Sequence, residues 1–393
     1  MTTTSERIRA YTGPPLLSYG FRPFFLGGAL WAAAAVALWL PVLSGRFTLP
    51  SAFAPLEWHV HELVYGYVPA VVAGFLLTAV PNWTGRLPVT GRPLLMLFLL
   101  WTLGRIAVFS SRLIGMELAA AIDLLFLATL AIVIAREILA AKNMHNLKVL
   151  GVIALLFAGN AAFHLEVLHG GKHGYGTRIG IASAILLITL IGGRIIPSFT
   201  RNWLAKREAG RLPTPFNQFD LAAMLVSWLA LAVWIAVPDH FATALLSLTA
   251  GLINAIRLGR WAGDRTVVEP LVLILHVAVA FVPLGFLLLA LGIWRPGLVA
   301  PSGALHGWTA GAIALMTLAV MTRTSLGHTG RALTATRPIQ LIYVAAIIAA
   351  LARIVAAFGI ARESMLHTSA TAWVLAFVGF ALVYGPLLLR PRA

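Results

Sequence analysis

Six histidines in this sequence lie within or at the ends of long apolar stretches, where an ionisable side chain is energetically costly. They are His59, His61, His164, His276, His306 and His328. Neutral imidazole binds iron, copper and zinc, so this set indicates a metal or haem site. Cysteine is absent, which excludes disulfides, thiolate-ligated metals, iron–sulfur clusters and covalently attached c-type haem. Any metal must be held by histidine, methionine, carboxylate or backbone groups.

The first two of these histidines open one predicted helix, in the run Trp58-His59-Val60-His61-Glu62. Residues two apart on an α-helix point about 200° apart, so His59 and His61 cannot both face one iron. We expect one to face a haem and the other to face a second metal, a propionate or a neighbouring helix. His59 is equally consistent with an interfacial residue beside Trp58.

His306 opens a later helix at the same predicted outer depth as His61. Two imidazoles presented from opposite sides suit a b-type haem, so we predict His61 and His306 as axial ligands of haem b. His164 lies about one turn from the outer end of its own helix and is the best further metal ligand. Glu166 is near enough to orient it or to exchange protons. A structural, hydrogen-bonded His164 is the alternative.

Two more histidines each have two possible roles. His276 is the most deeply embedded, in Leu-Val-Leu-Ile-Leu-His276-Val-Ala-Val-Ala-Phe, and is either a ligand or proton relay or a hydrogen-bonded core residue. His328 lies at the exit of its helix and either ligates a metal or caps the helix end. His169 and His173 lie in a glycine-rich loop and are assigned no role.

Two arginines within the apolar stretches fit a buried cofactor. Arg105 and Arg194 can pair with haem propionates, or with Glu62 or Asp123. For Arg194 the simpler alternative is that its side chain reaches towards the cytoplasm.

The elements that carry these residues are membrane helices. Of 393 residues, 60% are hydrophobic and only 11% are charged, a composition that excludes a soluble fold. The net charge of +16 indicates basic cytoplasmic loops and a lipid bilayer as partner, and it does not call for nucleic acid. Apolar runs of about 20 residues predict twelve spans. They are 24–44, 59–80, 93–111, 117–140, 148–168, 178–198, 218–237, 240–260, 269–291, 300–322, 338–359 and 367–389.

Orientation follows from the basic residues. Most Lys and Arg residues fall in segments that are cytoplasmic if both termini are inside, which favours an even number of spans and this orientation. The polar start, Met1–Tyr11, leads directly into a span, so we expect no cleaved signal. All loops are short, the longest being about 198–217, and we therefore expect function inside the bilayer or at its surfaces.

The sequence contains an internal repeat. One register shift aligns His61 with His306, Gly66 with Gly311, and Thr84-Gly85-Arg86 with Thr329-Gly330-Arg331. A second, weaker shift aligns Pro81 with Pro197 and Thr84 with Thr200. Helices 2, 6 and 10 then correspond. We predict an all-α integral membrane fold of twelve transmembrane helices in three four-helix arcs, forming one membrane domain with pseudo-repeats at about 1–140, 141–260 and 261–393. By analogy this resembles the haem–copper oxidase main subunit, whose first and third arcs supply axial haem ligands.

Five longer motifs carry a family resemblance. They are Tyr19-Gly-Phe-Arg-Pro-Phe-Phe25, Trp58-His-Val-His-Glu62, Gly74-Phe-Leu-Leu-Thr-Ala-Val-Pro-Asn-Trp-Thr-Gly-Arg86, Gly192-Gly-Arg-Ile-Ile-Pro-Ser-Phe-Thr-Arg-Asn-Trp203 and Met321-Thr-Arg-Thr-Ser-Leu-Gly-His-Thr-Gly-Arg331. The chain thereby resembles the NnrS family over its whole length. The resemblance implies a bacterial inner-membrane protein of nitric oxide metabolism that contains haem and copper and protects against nitrosative stress. It places the family's histidine motifs on the six histidines above, and leaves open which bind haem and which bind copper.

Three functions are compatible with these observations. The first is a haem-dependent enzyme or scavenger that binds nitric oxide and reduces it, with Glu62 and Glu166 as proton donors and electrons from quinol or a separate redox protein. The second is a transporter or a metal- or haem-handling protein, against which the repeats argue because they share one orientation. The third is a non-catalytic nitric oxide sensor.

Overall fold

The computed structural model describes residues 11–171, 174–207 and 209–392. Within them, twelve helices are long and apolar enough to cross a membrane, and no β-strand occurs. The predicted all-helical, multi-pass membrane fold is confirmed. The polar segment 1–10 and His173 lie outside the described residues. The helices are α1 Phe21–Leu43, α2 Pro55–Thr84, α3 Gly91–Phe109, α4 Met116–Ala140, α5 Met144–Leu168, α6 Tyr175–Leu204, α7 Gln218–Ala236, α8 Phe241–Gly259, α9 Pro270–Trp294, α10 Pro301–His328, α11 Arg337–Ala357 and α12 Arg362–Leu389.

Helices α2, α6 and α10 extend well past their predicted ends. The extension of α6 runs through Thr200 and Arg201 to Leu204, although these polar residues follow the end of the apolar run. Hydropathy depends on the side chains, whereas a helix continues as long as its backbone hydrogen bonds are made. A count of apolar residues therefore locates the membrane span but underestimates the length of the helix.

The same three helices contain π-helical segments, at Glu62–Tyr67, Ile188–Gly192 and Gly307–Ile313. The register shift that aligns His61 with His306 also aligns Glu62 with Gly307, so each histidine directly precedes its segment. A π-helical segment is rare and is often found at functional sites. In α2 the carbonyl of Gly66, inside the segment, accepts a hydrogen bond from Trp101 Nε1 on α3, at 2.8 Å.

The ends of α2 and α10 are also alike. Gly85 has φ +69° and Gly330 has φ +80°, a left-handed conformation that glycine adopts without strain and that commonly ends helices. This explains why both copies of Thr-Gly-Arg keep their glycine. These likenesses are local to each helix, and the grouping into three four-helix arcs stays a prediction.

The chain divides into two compact units. Unit one comprises the described residues within Met1–Ser183, Met321–Ala332 and Phe377–Ala393, and unit two comprises Ala184–Val320 and Leu333–Ala376. Unit one thus contains α1 to α5 with the first part of α6 and the ends of α10 and α12. Unit two contains α7, α8, α9 and α11 with the remaining parts of α6, α10 and α12.

The motif at residues 19–25 joins distant parts of unit one. Phe21, Phe24 and Phe25 are fully buried, and Arg22 beside them is 3% exposed. Arg22 Nη1 donates to the carbonyls of Leu388 and Arg390, at 2.9 and 2.7 Å. Carbonyls in the last turn of a helix have no intrahelical partner, so Arg22 satisfies the end of α12 from the start of α1.

Candidate metal centre

A cluster of six buried polar side chains lies inside unit one, where α2, α3, α4 and α5 meet. Each is 3% exposed or less. Helix α2 supplies two of them, α3 and α4 one each, and α5 two that are four residues apart and so share one helix face. They are His61, Glu62, Arg105, Asp123, Asn160 and His164.

The centre of the cluster is Asp123, whose Oδ2 lies between two imidazoles. His61 Nε2 is 3.3 Å and His164 Nε2 is 3.0 Å from this oxygen. The three donor atoms all lie within 4.8 Å of one another, close enough to hold one metal ion. Two imidazole nitrogens and a carboxylate oxygen form a donor set that suits copper or zinc.

Glu62 and Arg105 surround this donor set. His61 Nδ1 is 3.0 Å from Glu62 Oε1, so the glutamate orients the imidazole whose other nitrogen faces Asp123. Arg105 Nη1 donates to both oxygens of Glu62, at 2.9 and 2.8 Å, and its Nη2 donates to Asp123 Oδ1. Of the alternatives for Arg105, the pairing with Glu62 and Asp123 is the one present. Its role towards a propionate stays a prediction.

The charged groups of the cluster leave room for one further positive charge. Glu62 and Asp123 carry two negative charges and Arg105 carries one positive charge, and an uncompensated charge in a buried site is strongly unfavourable. Both ring nitrogens of His61 face acceptors, so a second proton on this ring supplies the missing charge in the structure as it stands. A metal ion bound at Nε2 in place of that proton would supply it equally.

Two glycines allow the helices to approach closely enough to build the cluster. A Cβ atom on Gly66 would lie 2.5 Å from Arg105 Nη1, and a Cβ atom on Gly104 would lie 2.9 Å from Asp123 Oδ1. Neither position has room for a larger side chain. Glycine here lets α2 and α4 approach α3 at the level of Arg105.

Aromatic rings enclose His61. The rings of Phe53, Phe163 and Tyr65 lie with their centroids 5.3, 5.4 and 5.6 Å from its own. Tyr65 donates its hydroxyl to the carbonyl of Gly176 at 2.5 Å, and this bond holds the ring in place. The apolar enclosure lowers the local dielectric and strengthens the charged contacts inside it.

His59 lies apart from the cluster, as the helical geometry predicts. Its ring stacks on Trp39 of α1, with centroids 4.4 Å apart, and the residue is half-buried. The metal role for His59 stays a prediction.

Glu166 lies near the end of α5, and its carboxylate faces the start of α6. Its carboxylate accepts hydrogen bonds from the backbone nitrogens of Tyr175 and Gly176, at 2.7 and 3.1 Å. The first N–H groups of a helix have no intrahelical partner, so Glu166 caps α6 and its charge is favourable there. Its role as a proton donor stays a prediction.

Three predicted site residues lie in unit two. His276 is 6% exposed, and its Nε2 is 2.8 Å from Thr200 Oγ1. His306 is half-buried, with Nδ1 2.5 Å from the carbonyl of Ser302 one turn earlier. Arg194 is exposed on α6. Since His61 and His306 belong to different units, their pairing around one haem stays a prediction.

His328 lies in unit one at the end of α10. Its ring packs against those of Tyr19 and Phe21, with centroids 5.4 and 5.7 Å away. Two of the motifs noted in the sequence thus meet here. The contact gives His328 a packing role, and metal ligation by it stays a prediction.

Two members of the cluster, Asp123 and Asn160, are not among the ligands predicted from the sequence. Asp123 was identified only as a partner of Arg105, and Asn160 was given no role. Both residues have a feature in the sequence that could have identified them. Asp123 is an acid in the middle of an apolar helix, which marks a functional residue by the same argument as for the histidines. Asn160 precedes His164 by four residues and therefore shares its face.

The chain matches the model of a known protein family. The family model described as NnrS protein matches residues 15–392, from before α1 to beyond the end of α12. Among curated proteins, none matches the chain.

Proposed function

The chain belongs to the NnrS family, and we propose that it is a copper- and haem-containing membrane protein that binds and reduces nitric oxide and so protects the cell against nitrosative stress. Family membership fits a role related to nitric oxide. The observation that carries the proposal is the buried group His61, Asp123 and His164. We propose the bacterial inner membrane as its location, with both termini in the cytoplasm.

Copper is the metal we assign to this group. Its donors are two imidazole nitrogens and one carboxylate oxygen, and imidazole is a good copper ligand. A cation bound there would take the place of the proton that His61 Nε2 carries towards Asp123 and Asn160. When bound, copper supplies a redox-active centre that takes nitric oxide as a ligand.

The protein residues have three tasks around the metal. Glu62 holds the ring of His61 by accepting from Nδ1, which leaves Nε2 directed at the metal position. Arg105 holds Glu62 and Asp123 together. The rings of Phe53 and Phe163 exclude water. Nitric oxide is small and uncharged, so it reaches such a site through apolar surroundings without the cost that an ion would meet.

Haem b is proposed from the family resemblance alone. His61 Nε2 faces Asp123 and Asn160, whose oxygens can join it around a small ion, whereas a haem iron needs an open face beside this nitrogen. His276 Nδ1 is buried without a hydrogen-bond partner, but a Cβ atom on Gly263 would lie 2.5 Å from it. These two imidazoles do not fit axial ligation as they lie here. We therefore assign no step to haem.

Copper content tests the proposal directly. Wild-type protein purified in detergent is expected to contain about one copper ion per chain, and His164→Ala and Asp123→Asn are expected to lose it. His169→Ala is the control, because His169 is exposed just after α5 and its ring Nδ1 lies 2.9 Å from the carbonyl of Leu165. Equal copper content in all four proteins would contradict the proposed site.

The reaction is tested by its product. Reduction of nitric oxide joins two molecules with two electrons and two protons to give N2O and water. We expect N2O from membranes given nitric oxide and a reduced quinol or a small redox protein, and none from His164→Ala. A protein that binds nitric oxide without forming N2O is a scavenger or a sensor. Uptake of copper into liposomes without either activity would favour a transporter.

A further inference from the structure

We propose that the side-chain oxygen of Asn160 would be the fourth ligand of a metal held by His61, Asp123 and His164, and the one that a small external ligand such as nitric oxide would replace. The inference rests on the proposed function, because it concerns the same metal. It assigns a role to a residue outside the three that form the metal-binding group.

Asn160 lies between two of the three ligands. It is 1% exposed and faces the cluster from α5, one turn before His164. Its Nδ2 donates to Asp123 Oδ2 at 2.7 Å, and its Oδ1 is 3.1 Å from His61 Nε2. The amide thus bridges the carboxylate and the imidazole.

The orientation of the amide follows from the chemistry of its neighbours. An ionised carboxylate only accepts hydrogen bonds, so the nitrogen of Asn160 must face Asp123. The oxygen is then left facing His61 Nε2, the atom assigned to the metal. A metal ion that takes the place of the Nε2 proton meets the Asn160 oxygen as its next neighbour.

The spacing of the donors supports four-coordination. Ligands at 2.0–2.1 Å from a tetrahedral ion lie about 3.3 Å from one another. The separations here are 3.3 Å for His61 and Asp123, 3.0 Å for His164 and Asp123, and 3.1 Å for His61 and Asn160. These three pairs of atoms therefore have about the spacing of neighbouring ligands around one ion.

Asp123 leaves the fourth position open for this amide. Its Oδ1 is occupied by Arg105, so the carboxylate offers the metal only Oδ2. An amide oxygen is uncharged and is the weakest donor of the set. It can leave the metal without exposing a buried charge, whereas Asp123 cannot. Asn160 is therefore the ligand that a neutral molecule such as nitric oxide would replace.

Cobalt(II) added to metal-free protein tests this assignment, since its visible absorption reports the number and type of ligands. Asn160→Ala is expected to shift the absorption and to weaken cobalt affinity by about tenfold or more. It is also expected to bind azide, a small probe ligand, more tightly than wild type does. Asn160→Asp keeps the size of the residue and is expected to bind cobalt more tightly and azide more weakly. Asn254→Ala is the control, because Asn254 is also buried but donates to Ser227 and Ala250.

The outcomes separate the two proposals. Wild-type absorption that depends on His164 but is unchanged in both Asn160 variants overturns the fourth ligand and leaves the metal site intact. Wild-type protein that takes up no cobalt or copper overturns both. If Asn160→Ala does not fold, Asn160→Asp decides: an unchanged spectrum and unchanged azide affinity contradict the assignment.

Discussion

His164 Nε2 lies 3.0 Å from Asp123 Oδ2, and this contact connects α5 to α4 inside unit one. The same oxygen faces His61 from α2 and accepts from Asn160. One carboxylate oxygen on α4 thus gathers side chains from two other helices, α2 and α5. Arg105 holds the other oxygen, so Asp123 cannot turn away from the metal position.

Replacement of Arg105 by glutamine is expected to destabilise the protein strongly. The change leaves Glu62 and Asp123 buried without their cation, a loss of about 3–5 kcal/mol. Thermal unfolding of the protein in detergent measures this loss of stability. Arg194→Gln is the matched control, because this membrane-helix arginine is exposed and its loss is expected to cost little. Equal stability of the two variants would refute the importance of the ion pairs.

A methyl group at Gly66 is expected to disturb the metal centre from outside its ligand set. Gly66→Ala places Cβ 2.5 Å from Arg105 Nη1, which forces the guanidinium away from Glu62. We expect copper affinity to fall by about 10–100-fold, as for other changes behind metal ligands. Gly151→Ala on α5 meets nothing within 4 Å and serves as the control. Undiminished copper binding by Gly66→Ala would show that Arg105 does not matter for the site.

Glu166→Ala is expected to lower stability without loss of copper. The substitution removes the acceptor for two N–H groups at the start of α6, and loss of such a cap costs about 1 kcal/mol. Thermal unfolding and copper analysis of one preparation check both parts. Unchanged stability with slower N2O formation would instead support the proton-donor role predicted from the sequence.

Arg22→Met is expected to loosen the C-terminal end of α12. It removes hydrogen bonds from a charged donor to the carbonyls of Leu388 and Arg390, each worth about 1.5–3 kcal/mol. Limited proteolysis of the C-terminus should become faster. Arg92→Met, at an exposed site on α3, provides the comparison. Identical cleavage rates for the two variants would show that Arg22 does not hold the end of α12 against the start of α1.

The exposed pair of Arg211 and Asp264 predicts a small effect of pH on stability. The hydrogen bond from Arg211 lowers the pKa of the Asp264 carboxyl below its usual 3.8. Because the folded-state pKa is the lower one, the stabilisation is complete above the unfolded-state pKa and is lost as the pH falls through the folded-state value. The melting temperatures of wild type and Asp264→Asn should therefore differ slightly at neutral pH and converge in acid. High salt should shrink the difference, because the pair is exposed.

The sequence alone determined the class of fold and most candidate ligands. A helix that crosses a bilayer must show an apolar run of about 20 residues, and that requirement is met within one segment of the chain, so all twelve helices were predicted. The cost of an ionisable group in such a run marked His61, His164 and Arg105 without knowledge of their neighbours. The helical repeat likewise separated His59 from His61.

The tertiary structure decided which of these residues meet. His61, Asp123 and His164 come from three helices, and their convergence depends on how α2, α4 and α5 pack at Gly66 and Gly104. It also showed that Glu166 caps α6. Such contacts arise between residues far apart in the chain, so no local periodicity encodes them. The hydropathy of one segment is enough to predict one membrane helix, whereas a metal site depends on how several helices pack together.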